Sequence, residues 1–136
     1  MLRISVAGYE LAARWEEARS PHTVALVRTM LPYESRLIQA RWSGQAAWIP
    51  MGDHDVGDLG PEDPTSYPAP GQLLLYPGGI SEVEILFSYG ATCFASKAGQ
   101  LAGNVFAGVV EGLEHLATIG ELVLWEGAQA IRLDES

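Results

Sequence analysis

The chain has little of several features, and each shortage excludes a class of protein. Cys93 is its one cysteine among 136 residues, so the chain can form neither an internal disulfide nor a thiolate zinc site. Its strongest apolar run, Leu73–Tyr76, is far shorter than the ~20 residues that a membrane-spanning helix needs. The first residues lack the apolar stretch of a signal peptide. We therefore expect a cytoplasmic protein that carries no metal.

Positive charge is also scarce. Eight basic residues face 17 acidic ones, which gives a net charge of −9, and Lys97 is the only lysine. The electrostatic field of a chain with this negative charge repels phosphate backbones and anionic lipid headgroups. We therefore expect neither a nucleic-acid nor a membrane partner.

What is present points to one globular domain. The chain is 48% hydrophobic and 18% charged, which excludes an intrinsically disordered protein. Its length matches a single domain with a real core. We expect one domain over residues 1–136, and we expect no cofactor.

Local patterns predict where the first elements lie. Leu2, Ile4 and Val6 alternate with polar or small residues, which predicts a half-buried strand, and a second alternating run up to Trp15 completes a hairpin. Ser20-Pro21 predicts a helix start and Pro32 its end. The stretch 51–71 is rich in proline and aspartate and predicts one long surface loop. Its acidic run 53–58 is interpreted as a solvated turn rather than a calcium loop.

The remainder reads as short strands with one further helix. A short helix is predicted over 112–117, and strands are predicted over 36–42, 46–49, 72–76, 82–87, 92–95, 104–110, 122–125 and 131–133. Many short strands separated by glycine and proline turns favour a closed antiparallel β-barrel of about eight strands, with one helix near the N-terminus and a short helix near the C-terminus.

Two segments resemble the cyclophilins. Residues 20–28, Ser-Pro-His-Thr-Val-Ala-Leu-Val-Arg, are similar to a cyclophilin helix, and residues 105–113, Val-Phe-Ala-Gly-Val-Val-Glu-Gly-Leu, are similar to a late cyclophilin strand and turn. The stretch 69–104 resembles small bacterial cyclophilin-like proteins of unknown function. The resemblance implies a cyclophilin-like barrel whose ends are capped by helices.

The resemblance does not imply prolyl isomerase activity. Arg41 can occupy the position of the cyclophilin arginine, but residues 42–48 lack the Phe-x-x-x-Gln-Gly-Gly-type segment that follows it. Asn104, not a histidine, precedes the Val-Phe strand. We therefore expect no isomerase activity.

The leading site hypothesis is a pocket at the barrel mouth for a small organic acid. Aromatic walls suit the body of such a ligand, and a guanidinium suits its carboxylate. Arg41 is the predicted anion anchor; the full set of candidate ligand-binding residues is Arg41, Trp42, Trp48, Tyr67, Tyr76 and Asn104. The alternative is that these aromatics belong to the core.

Two residues are candidates for catalysis. Glu82 and Glu84 lie two apart on a predicted strand and so share one face, and paired carboxylates in a shielded pocket can divide acid and base roles. We take Glu82 as the candidate acid or base, against the alternative of a wet strand face. Lys97 is a candidate because burial lowers the pKa of lysine readily, against the alternative of a solvated lysine. Cys93 is predicted to be a small core residue.

Two classes of function remain open. The first is a protein that binds or transforms a small organic acid. The second is a structural or interaction protein that acts through a homo-oligomer interface or a peptide-binding surface. In both cases we expect a homo-oligomer.

Overall fold

The opening hairpin shows how the alternating pattern becomes structure. The computed structural model describes all 136 residues, and in it β1 (Leu2–Val6) pairs with β2 (Tyr9–Trp15). Leu2, Ile4 and Val6 are buried. Ala7 and Gly8 form the two-residue turn with φ values of 52° and 84°, and such a left-handed pair matches the twist of the flanking strands. The predicted hairpin is confirmed.

Eight strands close into an antiparallel barrel, as the sequence predicts. After β1 and β2 the elements are α1 (Pro21–Met30), β3 (Tyr33–Gln39), β4 (Gly44–Gly52), β5 (Gln72–Tyr76), β6 (Val83–Thr92), β7 (Ala95–Ser96), β8 (Gly99–Gln100), β9 (Asn104–Glu111), a 3-10 turn (Leu113–His115), α2 (Leu116–Glu126) and β10 (Gln129–Glu135). Around the barrel the order is β1-β10-β3-β4-β6-β5-β9-β2, so the barrel has no free strand edge. A separate two-stranded hairpin, β7-β8, lies outside this ring.

The interior of the barrel is filled by apolar side chains. Inward-facing residues from all eight strands form one buried cluster, and both helices add to it. α1 contributes Val24 and Val27, and α2 contributes Leu116, Ile119 and Val123. Because side chains occupy the interior, ligand-sized space has to be sought on the outside of the barrel.

The predicted long loop between β4 and β5 is confirmed, and one of its side chains caps the N-terminus of α1. Pro21 occupies the first turn of α1, and the preceding Ser20 makes no side-chain capping bond. Instead the Glu62 carboxylate accepts the backbone N–H of His22 at 3.0 Å and that of Thr23 at 2.7 Å. A loop residue therefore satisfies N–H groups that a helix start leaves without partners.

A second apolar cluster lies on the outer wall of the barrel. Leu74, Leu86 and Val105 face outward from β5, β6 and β9, and Phe94 and Leu101 cover them from the segment that carries β7 and β8. This cover converts part of an outer sheet face, which water would otherwise contact, into a buried surface. It is the reason that polar residues on the same face become shielded.

Three local predictions were wrong. Residues 122–125, predicted as a strand, lie in α2, whose buried positions Leu116, Ile119 and Val123 recur at helical spacing. The strand predicted over 92–95 is replaced by the end of β6 and the start of the β7-β8 hairpin. Cys93, predicted as a core residue, is exposed, because it lies in the connection between those two strands. No helix is both long and apolar enough to span a membrane.

Candidate functional site

A groove of about 360 Å³ lies on the outer wall of the barrel, beside the second apolar cluster. Four parts of the chain build it: the end of β3 with the turn into β4, the middle of β4, the start of β6 with the residues just before it, and the β7-β8 hairpin. Its lining residues are Ile38, Gln39, Ala40, Arg41, Trp42, Ser43, Trp48, Ser81, Glu84, Ala95, Ser96 and Lys97. Four of the sequence-predicted site residues, Arg41, Trp42, Trp48 and Lys97, therefore line one groove. It lies on the barrel wall rather than at the predicted barrel mouth.

Ser43 fixes one side of the groove to the other. Its hydroxyl donates to the Ala95 carbonyl at 3.1 Å and accepts the Ala95 N–H at 3.0 Å, while its carbonyl accepts the Cys93 N–H at 3.0 Å. Phe94, buried between these contacts, packs edge-on against Tyr76 with ring centroids 5.9 Å apart. The hairpin that carries Lys97 is therefore held at a defined distance from the β3-β4 turn.

Two cations line the groove, and neither has an anionic partner within the chain. Arg41 and Lys97 are both exposed and form no ion pair. The Arg41 guanidinium lies 5.8 Å from the ring centroid of Trp42, a distance typical of a cation–π contact. An arginine in this state presents several N–H donors to an incoming carboxylate.

Two tryptophans give the groove apolar walls of different character. Trp48, in the middle of β4, is half-buried and packs against the second apolar cluster. Trp42, in the turn, is 55% exposed. One indole thus belongs to a fixed surface, and the other stands at the rim.

Glu84 is the one buried ionisable side chain in the groove. The registers Pro50↔Glu84 and Tyr76↔Glu84 place it on the outer face of β6, where the cover over the second cluster shields it, and it is only 6% exposed. Its carboxyl makes no hydrogen bond and no ion pair within the chain. No fully buried side-chain oxygen lacks a partner, so the carboxyl oxygens reach solvent, and Glu84 lines the groove. Burial, with a smaller contribution from the negative charge of Glu82, raises the pKa of Glu84 to about 7. A carboxyl with this pKa can both release and accept a proton near neutral pH.

The structure does not bring the other predicted residues into the groove. Glu82 is exposed and precedes β6. Tyr67 is 66% exposed on the long loop. Tyr76 is buried in the second cluster, and its hydroxyl accepts the Ile80 N–H at 3.0 Å.

Asn104 is also remote from the groove, and its amide is used within the chain. Its Oδ1 accepts the Glu62 N–H at 2.8 Å, and its Nδ2 donates to the Thr23 hydroxyl at 3.1 Å and to the Gly60 carbonyl at 3.0 Å. Asn104 therefore fastens the long loop to α1.

Sequence reasoning missed the buried carboxyl by two positions. It placed Glu82 and Glu84 on one strand face, but β6 begins at Val83, so only Glu84 lies within the strand. A signal was present, because Leu86 lies on the same face as Glu84. An apolar residue on an otherwise polar face indicates that something covers that face. Ser43 carried no comparable signal, since its role depends on a hairpin distant in sequence.

The protein is a closed antiparallel barrel with a filled interior and a polar and aromatic groove on its wall. The chain belongs to the DUF3830 family, described as a protein of unknown function, whose match covers residues 2–135. No curated protein matches the chain. In this structure no group of three or more His, Cys, Asp or Glu side chains is arranged to hold a metal ion.

Two solved structures share the fold. One is described as McbB in complex with tryptophan, with a TM-score of 0.80 and 19% sequence identity; the match covers 100% of this chain but 45% of McbB, so the chain spans less than half of that protein. The other is a hypothetical protein, AF2241, from Archaeoglobus fulgidus, with a TM-score of 0.63 and 18% identity, covering 99% of this chain and 93% of that one. At these identities the likeness shows the fold alone.

Proposed function

We propose that the wall groove binds a small organic acid. Arg41 is the anion anchor, Lys97 is a second cation at the rim, and Trp42 and Trp48 are the walls that contact the apolar body of the ligand. This proposal keeps the predicted ligand class and moves the site from the barrel mouth to the barrel wall. We also propose that the barrel is cyclophilin-like and that it lacks prolyl isomerase activity.

The observation that carries the proposal is the coexistence of unpaired charges of both signs in one groove. Arg41 and Lys97 have no partner in the chain, and the carboxyl of Glu84, a residue only 6% exposed, has none either. Ligand sites combine apolar walls with a few polar groups that fix orientation, and this groove has that composition. The McbB complex supports the proposal in a general way, because tryptophan is itself a small organic acid.

If the bound acid is transformed, the acid–base group in this proposal is Glu84. The role that the sequence suggested for Glu82 passes to Glu84 because general acid–base catalysis needs a group that exchanges protons near the working pH and lies beside the ligand. Lys97 is exposed in the structure, so its proposed role is that of a cationic contact rather than a desolvated nucleophile.

A thermal-shift screen against monocarboxylic acids tests the binding proposal. We expect some of these acids to raise the melting temperature of the wild-type protein but not that of Arg41→Gln. Arg14→Gln is the matched control, because Arg14 is exposed on β2, away from the groove. The proposal is wrong if no acid shifts the wild type, or if Arg41→Gln responds as the control does.

A second proposal is a homo-oligomer that forms through the end of α2. Leu124 and Trp125 are adjacent there and are 50% and 77% exposed, and aromatic residues are enriched at the centres of interfaces. Light scattering on the wild type and on Trp125→Ser tests it. We expect a mass above that of the 14.7 kDa chain that the substitution lowers; a wild-type monomer would refute this proposal.

A further inference from the structure

The groove has opposite charges at its two ends. Arg41 and Lys97 lie where the β3-β4 turn meets the β7-β8 hairpin, and Glu84 lies at the start of β6. β4 joins the two ends: the Ala46 carbonyl accepts the N–H of Ala40, next to Arg41, while Pro50 is the cross-strand partner of Glu84. At about 3.3 Å per residue, these two positions on β4 are ~13 Å apart along the strand.

The Glu84 end of the groove favours a cation. No arginine or lysine side chain lies within ion-pair distance of this carboxyl, and the neighbouring Glu82 adds negative potential. The indole of Trp48 lies between the two ends, and aromatic faces attract cations. The Glu84 side chain is 6% exposed, lines the groove and has no partner within the chain, and an ammonium group supplies three N–H donors to its carboxylate.

We propose that the groove takes an ω-amino acid, a molecule with an amine at one end and a carboxylate at the other, separated by a short apolar chain. The ammonium group donates to Glu84, the chain lies against Trp48, and the carboxylate is bound by Arg41 with Lys97. This inference rests on the proposed organic-acid site and names its ligand class. The separation of the two ends selects against α-amino acids, in which the two charged groups are adjacent.

Three simple compounds test this inference in isothermal titration calorimetry near neutral pH. δ-Aminovalerate carries its amine and its carboxylate at opposite ends of a chain of four methylene groups, valerate lacks the amine, and norvaline has the atoms of δ-aminovalerate with the amine moved next to the carboxylate. We expect wild-type protein to bind δ-aminovalerate at least about tenfold more tightly than either of the others, a difference of ~1.4 kcal/mol.

Variants assign the preference to Glu84. Glu84→Gln keeps the shape of the side chain and removes its charge, so this variant should bind δ-aminovalerate no more tightly than valerate. Glu82→Gln is the matched control: it removes an exposed charge two residues away and should keep most of the preference. The comparison of ligands on wild-type protein is informative even where a variant folds poorly.

The outcomes separate this inference from the proposal on which it rests. Equal affinity of the wild type for δ-aminovalerate and valerate, with valerate binding, overturns the ω-amino acid and leaves the organic-acid site standing. Tighter binding of norvaline than of δ-aminovalerate likewise overturns it in favour of an α-amino acid. If the wild type binds none of the three compounds and no other carboxylate, both the organic-acid site and the ω-amino acid inference are rejected.

Discussion

At the scale of single residues, Glu84 links the site to stability. Its side chain is buried without a partner, and its pKa of about 7 in the folded chain lies above its ordinary value of 4.5. Between these two values the folded state binds more protons than the unfolded state. The free energy of unfolding therefore falls as the pH rises through this window, and the penalty is fully present above about pH 7.

Glu84→Gln is consequently expected to stabilise the protein in alkaline solution. Relative to wild type, we expect the free energy of unfolding to rise by up to about 3 kcal/mol near pH 8 and to change little near pH 4. Urea denaturation at both pH values measures it. Glu82→Gln, which removes only the repulsion between the two carboxylates, should give a much smaller gain. A destabilised Glu84→Gln protein at the alkaline value would show that the carboxylate is satisfied in the folded state.

The same residue shows where sequence reasoning ends. Alternation correctly placed Glu84 opposite Val83 and Ile85, but alternation assigns a residue only to one face of a strand. Whether that face is wet depends on what covers it, and the cover here comes from Phe94 and Leu101. For this reason the pattern alone did not separate the exposed Glu82 from the buried Glu84.

At the scale of elements, the start of α1 depends on a residue about forty positions away in the chain. Burial alone would raise the pKa of Glu62, but hydrogen bonds from the Thr23 hydroxyl and from the backbone N–H groups of His22 and Thr23 outweigh it and lower the pKa. The stabilisation is therefore present above the ordinary carboxyl pKa and is lost as the pH falls through the lower folded value.

Glu62→Ala is expected to destabilise the protein by about 1–2 kcal/mol near neutral pH, the usual cost of losing a helix N-terminal cap. Chemical denaturation measures the change, and the difference from wild type should shrink in acid. Glu111→Ala, which truncates an exposed glutamate on β9, is the control and should be near neutral. Equal effects of the two substitutions would show that the loop does not stabilise α1.

Gly120 controls how closely α2 approaches the barrel. A Cβ at this position would clash with the aromatic ring of Tyr89, so Gly120→Ala should destabilise by about 1–3 kcal/mol although alanine favours helix. Thr118→Ala, at an exposed position of the same helix, should be neutral or slightly stabilising. Thermal unfolding compares the two. A stabilised Gly120→Ala protein would mean that the helix is free to move away from Tyr89.

The two helices also show which elements a sequence can predict. Pro21 and Pro32 mark the limits of α1 by backbone chemistry, and that prediction was correct. Residues 122–125 form a short apolar run, which periodicity alone cannot assign to a strand or a helix. The preceding buried positions Leu116 and Ile119 extend the helical spacing and assign this run to a helix. The prediction ended the helix at residue 117 and therefore separated Leu116 from the positions that complete the pattern.

At the scale of the whole molecule, the closed barrel was predictable and the position of the groove was not. Strand count and turn spacing are local properties, and they indicated a barrel of about eight strands. The groove arises from contacts between segments that are distant in sequence, such as Ser43 with Ala95. A barrel whose interior is filled by Phe87 and Phe106 has space for a ligand only where such segments meet outside it.

The central claim is that a carboxylate binds on the barrel wall beside Arg41, and nuclear magnetic resonance tests it most directly. Valerate is titrated into the isotopically labelled protein, and amide and indole N–H shifts are followed. We predict that the shifts concentrate on Arg41, Trp42 and Ser43, on the Trp48 indole and on 95–97. Shifts confined to other parts of the barrel, or no shifts with valerate or any other small carboxylate, would contradict the account.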